Sequence, residues 1–206
     1  HAQHFLDARL TQFQQLAALM DRPPLLLSPY DAELFGHWWH EGPEFLDYFV
    51  RKAYFDQKTF SLITPGDYLR VHPTNQVAEP SPSSWGEEGY YRVWLNETNQ
   101  WIYPHLHVAQ TRMTELARQI PNATGLKLRA LQQAAQELLL AQASDWPFIL
   151  RTGTSPEYAK RRVKDHLLRF LALHGQLTAD KINEAQLKQL EATDNVFPEA
   201  DYRYWA

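Results

Sequence analysis

The sequence predicts a mostly α protein with a small α/β part, and three observations carry that expectation. Apolar residues recur at helical spacing over residues 1–20 and again from about residue 104 onward. Two short apolar runs, Leu25-Leu26-Leu27 and Phe60-Ser61-Leu62-Ile63, read as buried strands between helices. Between them and the later helices, residues 72–100 hold too much Pro and Ser for regular structure.

The first helix places Phe5, Leu6, Leu10, Phe13, Leu16, Ala17 and Met20 on one face and is expected to end at Asp21-Arg22-Pro23-Pro24, where two prolines remove backbone donors. With no initiator Met or lead-in before it, this start reads as a piece of a longer chain. The Leu25–Leu27 run leads into Ser28-Pro29-Tyr30-Asp31-Ala32-Glu33-Leu34-Phe35-Gly36-His37-Trp38-Trp39-His40-Glu41-Gly42-Pro43, the densest collection of chemical groups in the chain. Pro43 then suits the first turn of a second helix, with Phe45, Leu46, Phe49, Val50 and Ala53 as its buried stripe. Thr64-Pro65 reads as a helix start with Thr64 as cap.

The 72–100 stretch carries Trp85, Tyr90, Tyr91 and Trp94 among its prolines and serines. That aromatic content predicts an ordered loop of functional use rather than a disordered linker. Beyond it, Val108, Met113, Leu116, Ala117 and Ile120 mark one helix, ended by Pro121-Asn122 and Gly125. Leu128, Leu131, Ala135, Leu138 and Leu139 mark the next, expected to stop before Ser144-Asp145-Trp146-Pro147-Phe148. Thr154 and Glu157 have capping-box spacing for a third helix, which Gly175 would terminate. A last amphipathic segment runs through Ile182, Leu187 and Leu190, and the tail residues Tyr202, Tyr204 and Trp205 are expected to dock.

Composition narrows the function. The 206 residues include seven Trp and ten Tyr, which excludes a disordered chain. A net charge of −4 with interspersed signs offers no basic face for nucleic acid and no polybasic run for a membrane surface. Cysteine is absent, which removes disulfides, thiolate catalysis and Cys-ligated zinc, and fits a reducing, cytoplasmic location. No apolar stretch has transmembrane length, and no signal peptide opens the chain.

Asp31 is the leading catalytic candidate. It follows an apolar run, where α/β architectures place catalytic groups, and aromatic faces surround it in sequence. A carboxylate beside indole rings points to sugar chemistry, since retaining glycoside cleavage uses two carboxyl groups, one as acid and base, the other as nucleophile. Asp31 reads equally as a cap for the turn that follows. Glu33 and Glu41 are poor second carboxylates: Glu33 would lie beside Asp31 rather than across a bound sugar, and Glu41 serves the start of the second helix. The second carboxylate is therefore missing. His37, His40 and Asp31 lack the spacing of a zinc signature, so no metal or other cofactor is expected.

Among the aromatics, Trp38, Trp85 and Trp94 are candidate sugar platforms, because the apolar face of a pyranose stacks on an indole. Core packing is the competing use, and it suits Trp39, Trp146 and Trp205 best. Asp145 either orients a group at the same cleft or caps a turn ahead of Pro147.

The segment Tyr30-Asp31-Ala32-Glu33-Leu34-Phe35-Gly36-His37-Trp38-Trp39, followed by Glu41-Gly42-Pro43, resembles the fourth conserved region of glycoside hydrolase family 57, in the form found in its 1,4-α-glucan branching enzymes. Ser83-Ser84-Trp85-Gly86, Val93-Trp94-Leu95, Asn99-Gln100-Trp101 and Ala143-Ser144-Asp145-Trp146-Pro147-Phe148 resemble later landmarks in the same order, extending the likeness to about residue 175. The resemblance implies the last strands and helices of an incomplete (β/α)7 barrel over 1–72, an aromatic substrate loop over 73–103, and a C-terminal helical domain over 104–206. It implies Asp31 as general acid/base, His37 and Trp38 shaping the sugar site, Trp85 and Trp94 holding an α-glucan, and Asp145 near the same cleft. The family's nucleophilic Glu and its N-terminal His motif lie in regions absent from this sequence, so the chain by itself is expected to be inert. α-Amylase or 4-α-glucanotransferase activity, or a non-catalytic glucan-binding role, are the alternatives.

Overall fold

The computed structural model describes residues 1–206 as two compact units, His1–Glu79 and Pro80–Ala206. No residue of either unit is in a β-strand. The mostly α expectation holds and the α/β part does not.

In the first unit, α1 (Ala2–Ala17) packs on α2 (Gly42–Phe55). Phe5 meets Phe45 and Phe49 edge-on, at centroid distances of 5.6 and 5.1 Å, and the Arg9 guanidinium lies over the Phe5 ring. Phe13 stacks on Phe60 at 5.0 Å. α3 (Pro65–Val71) begins as expected: Thr64 Oγ1 accepts from the Asp67 amide at 3.1 Å, and Pro65 occupies the first turn, where no donor is missed. Leu25–Leu27 and Phe60–Ile63 carry no regular structure, and their apolar side chains reach solvent, Leu27 being 69% and Leu62 51% exposed. A strand needs a neighbouring strand to pair its amides and carbonyls. Neither segment has one within this chain. Only Ala2, Leu6, Gly42 and Ala53 of the unit are buried, and α2 leaves Leu46, Val50, Tyr54 and Phe55 in water.

The second unit holds the core. It opens with two 3-10 turns, Glu87–Gly89 and Tyr91–Val93, so the aromatic stretch is ordered. Five helices follow: α4 (Ile102–Gln119), α5 (Gly125–Ala141), α6 (Asp145–Thr152), α7 (Pro156–Thr178) and α8 (Glu184–Thr193). α5 is the centre, buried from Ala130 through Leu131 and again from Gln133 to Leu138. It packs along α7, and Ala134, Ala141, Ala159, Phe170 and Leu173 all lie in the shared buried core. The tail docks through Tyr202, whose hydroxyl donates to the Ile120 carbonyl at 2.7 Å and accepts from the Ala123 amide at 3.2 Å.

Three local expectations are corrected. Asp145 does not cap a turn ahead of Pro147 but opens a helix, α6: Pro147 is its third residue, where a backbone N–H has no intrahelical partner to lose. Ser155, not Thr154, is the N-cap of α7, because Pro156 takes its first position. Gly175 does not end α7, which continues to Thr178, since packing against α5 outweighs the cost of about 1 kcal/mol for an internal glycine.

Candidate functional site

The Asp31 segment is shaped by a single π turn, Leu34–Trp38, which follows the turn holding Asp31. Leu34 N–H bonds the Asp31 carbonyl at 3.1 Å, and Trp39 N–H reaches back to the Leu34 carbonyl at 2.8 Å. Such turns insert one residue and re-aim the side chains around it, which is why they recur at functional sites. Here they separate two adjacent tryptophans. Trp39 turns inward, 5.8 Å from the Phe35 ring and 4.9 Å from Phe45, as the core reading expects. Trp38 turns out and is 70% exposed, with the His37 ring 5.3 Å away.

Glu33, set aside as a second catalytic carboxylate, has a different task. Its Oε1 accepts from Trp38 Nε1 at 3.0 Å and so fixes the plane of an exposed indole. Gly42 closes the segment from below, where a Cβ would lie 3.0 Å from Phe35 Cδ1. Asp31 is exposed, and no side-chain cap bonds the π turn, whose N-cap is Glu33. The capping account of Asp31 therefore fails.

In the second unit the structure collects Trp85, Trp94 and a ring that sequence reasoning did not single out, Phe148 of α6. Their centroids are 5.8 Å (Trp85–Trp94), 5.9 Å (Trp85–Phe148) and 6.4 Å (Trp94–Phe148) apart. The planes are tilted by 47°, 54° and 35°, so the rings form an open corner. Trp94 Nε1 donates to the Trp85 carbonyl at 2.8 Å, and the Tyr103 hydroxyl donates to the Trp94 carbonyl. The turn after Trp85 is tight: Gly86 has φ +121°, and a Cβ there would sit 2.7 Å from Val93 Cγ2. Arg151 Nη2 donates to Glu87 Oε2 at 2.6 Å and holds that carboxyl below the usual range. Asp145 is exposed in the first turn of α6, the helix that carries Phe148. Trp146, by contrast, is a core residue, its Nε1 donating to the Leu140 carbonyl at 2.7 Å.

A third group lies inside the helical unit and was invisible in sequence. Glu137 of α5, His166 of α7 and Asp194 after α8 are all buried, with potential ligand atoms within 4.8 Å of one another. His166 Nδ1 and Glu137 Oε2 are 2.7 Å apart and need one proton between them. Gln133 Nε2 donates to Glu137 Oε1 at 3.0 Å, and Arg169 pairs with Asp194. Burial pushes the Glu137 carboxyl up, and the nearby Asp194 charge adds to the shift. These bonds join α5, α7 and the tail as a structural network, and His166 Nε2, also buried, has no hydrogen-bond partner. His166 shares the apolar spacing of its helix, and no short-range signal marks its partners.

Residues 105–205 match the family described as 1,4-alpha-glucan branching enzyme, C-terminal. The chain is 34% identical over 202 residues to a 1,4-alpha-glucan branching enzyme of Thermococcus kodakarensis, covering 96% of this chain and 30% of that protein. A probable 1,4-alpha-glucan branching enzyme of Mycobacterium tuberculosis is 26% identical over 192 residues, with 36% of its length covered. The chain thus spans about a third of the length of these relatives. Among solved structures, the family 57 branching enzyme from Thermococcus kodakaraensis, crystallised with glucose, superposes with a TM-score of 0.80 at 30% identity, over all of this chain and 38% of that one. The alpha-amylase AmyC of Thermotoga maritima gives 0.73 at 40% identity, also over all of this chain and 38% of that one. Over its whole length the chain is thus similar to the C-terminal portion of family 57 1,4-alpha-glucan branching enzymes, and residues 105–205 carry the pattern of that portion.

Proposed function

We propose that the chain is the C-terminal part of a retaining enzyme that breaks an α-1,4 bond in a glucan and passes the glycosyl unit to a 6-hydroxyl. The observation that carries this reading is the exposed Asp31 in one segment with an oriented Trp38 and His37, a segment of branching-enzyme pattern. In such a mechanism Asp31 protonates the departing glycosidic oxygen while a second carboxylate, about 5 Å away, attacks the anomeric carbon. Asp31 then takes the proton of the acceptor hydroxyl as that oxygen displaces the carboxylate. The second carboxylate belongs to an N-terminal catalytic portion outside this sequence. Trp38 and His37 would border the reacting sugar; Trp85, Trp94 and Asp145 would bind α-glucan.

Residues 1–72 then form the end of a catalytic (β/α)7 barrel, 73–103 the substrate loop and 104–206 the helical domain. The exposed apolar faces of α2 and the irregular apolar segments Leu25–Leu27 and Phe60–Ile63 support a barrel placement, since strand neighbours and a sheet would cover them. The parent enzyme is a cytoplasmic one of glycogen biosynthesis in this reading, and no helix of the chain is long and apolar enough to cross a membrane.

The test is linkage analysis of amylose treated with the chain alone and with the chain joined to the preceding portion of a branching relative. The joined protein is expected to form α-1,6 bonds, Asp31→Asn to abolish them, and the chain alone to form none. Full activity of the Asp31→Asn protein would remove the assignment. A second reading, hydrolysis without branching, is favoured by the 40% identity to the Thermotoga amylase. Shortened glucans without α-1,6 bonds would select it.

A further inference from the structure

The corner of Trp85, Trp94 and Phe148 is assembled from two parts of the chain more than fifty residues apart, and two fasteners join those parts. Asn99 is fully buried. Its Nδ2 donates to the Val93 carbonyl at 2.9 Å and to the Pro147 carbonyl at 3.2 Å, while its Oδ1 accepts from the Asn96 amide at 2.9 Å. Val93 immediately precedes Trp94, and Pro147 immediately precedes Phe148. One amide therefore ties together the backbone that carries two of the three rings. On the other side, Glu87 stands two residues after Trp85 and Arg151 one helical turn after Phe148, and their 2.6 Å ion pair closes the same two parts.

We propose that Asn99 and the Glu87–Arg151 pair are positioning residues for glucan binding, setting the angle at which Phe148, as a third sugar-facing ring, meets Trp85 and Trp94. The proposal rests on the reading that this corner stacks an α-glucan. Trp85 is 61% and Phe148 36% exposed, so ring edges and faces remain free for a ligand. Stacking depends steeply on the spacing and tilt of the faces. The Trp85 turn, with Gly86 and Gly89 at positive φ, has only the single 3-10 turn Glu87–Gly89 to hold it. Its Ser84 is tied within the turn, to the Gly89 and Tyr90 carbonyls at 2.8 Å. Among the contacts described, only Glu87 of this turn reaches α6 by a polar side chain, and only Asn99 reaches α6 from the segment beyond Trp94.

The experiment titrates this chain with maltoheptaose by calorimetry, alongside its melting temperature. Arg151→Ala and Glu87→Arg are each expected to weaken binding about fivefold, with the melting temperature moved by no more than about 2 °C, because an exposed pair contributes little to folding but misplaces a ring. The charge-reversed double variant Glu87→Arg with Arg151→Glu should recover most of the lost affinity. Asn99→Asp, which removes both donors without changing size, should weaken binding further; should it fail to fold, the ion-pair variants decide the matter. If Trp85→Ala weakens binding while the Glu87 and Arg151 variants bind like the wild type, the positioning proposal is overturned and the glucan-binding reading stands. If Trp85→Ala changes nothing, or the wild-type chain does not bind maltoheptaose, both fall.

Discussion

Glu137 shows how a single residue couples the helical unit to pH. Its carboxyl is buried among Gln133, His166 and Asp194, and burial raises its pKa above that of the unfolded chain. The folded protein then holds a proton that the unfolded chain has released. That contribution is fully present below the ordinary carboxyl range and is lost as pH rises through the raised folded value. Glutamine keeps the shape and stays neutral. Glu137→Gln is therefore expected to melt near the wild-type temperature at about pH 5 and above it at about pH 8, a divergence that calorimetric scans across pH will read. Parallel curves for the two proteins would show that Glu137 keeps its charge state on folding. Glu137→Ala is different in kind: it strands His166 and Gln133 in the core and should cost about 3 kcal/mol at about pH 5 and less at about pH 8, measured by urea unfolding.

Among the elements, the helix starts separate what local chemistry decides from what context decides. Thr64 and Asn183 each accept from an amide three residues on, at 3.1 Å, and both caps belong to helices too short to persist on propensity alone. Asn183→Ala should destabilise the second unit by about 1 kcal/mol in urea unfolding, with Asn183→Ser restoring most of it. The Leu25–Leu27 and Phe60–Ile63 segments illustrate the opposite case. Their composition suits strands, but strand formation is a pairwise event, and residues 1–79 hold no partner for either. Asp145-Trp146-Pro147 opens α6 for a related reason: proline breaks a helix only beyond its first turn, and here Pro147 lies within that turn while Trp146 is buried in the core.

At the scale of the whole molecule, the two units differ in how they are stabilised. Residues 80–206 enclose a continuous core from Ile102 to Tyr202, whereas residues 1–79 leave most of their large apolar side chains in water. Hydrogen exchange followed by mass spectrometry should find α5 and α7 protected longest, α1 and α2 exchanging orders of magnitude faster, and residues 23–33 essentially unprotected, since local opening is cheap where little apolar surface is buried. Equal protection of α1 and α5 would show that the units unfold as one.

Much of the helical unit could be read directly, because apolar residues at three- and four-residue spacing mark α4, α5, α7 and α8 whatever surrounds them. The candidate residues Asp31, His37, Trp38, Trp85, Trp94 and Asp145 were also legible, since polar and aromatic groups concentrated in irregular segments stand out against a helical background. What the chain's order of residues could not disclose is every relation across distance. Phe148 joins Trp85 and Trp94 through α6, Asn99 and Arg151 brace that corner, and Glu137 meets His166 and Asp194 from three separate elements. Periodicity reports which face of an element is buried; only packing decides what that face is buried against. Residue order thus determined the helices, their local caps and the chemistry available, and the tertiary structure decided which groups share a site.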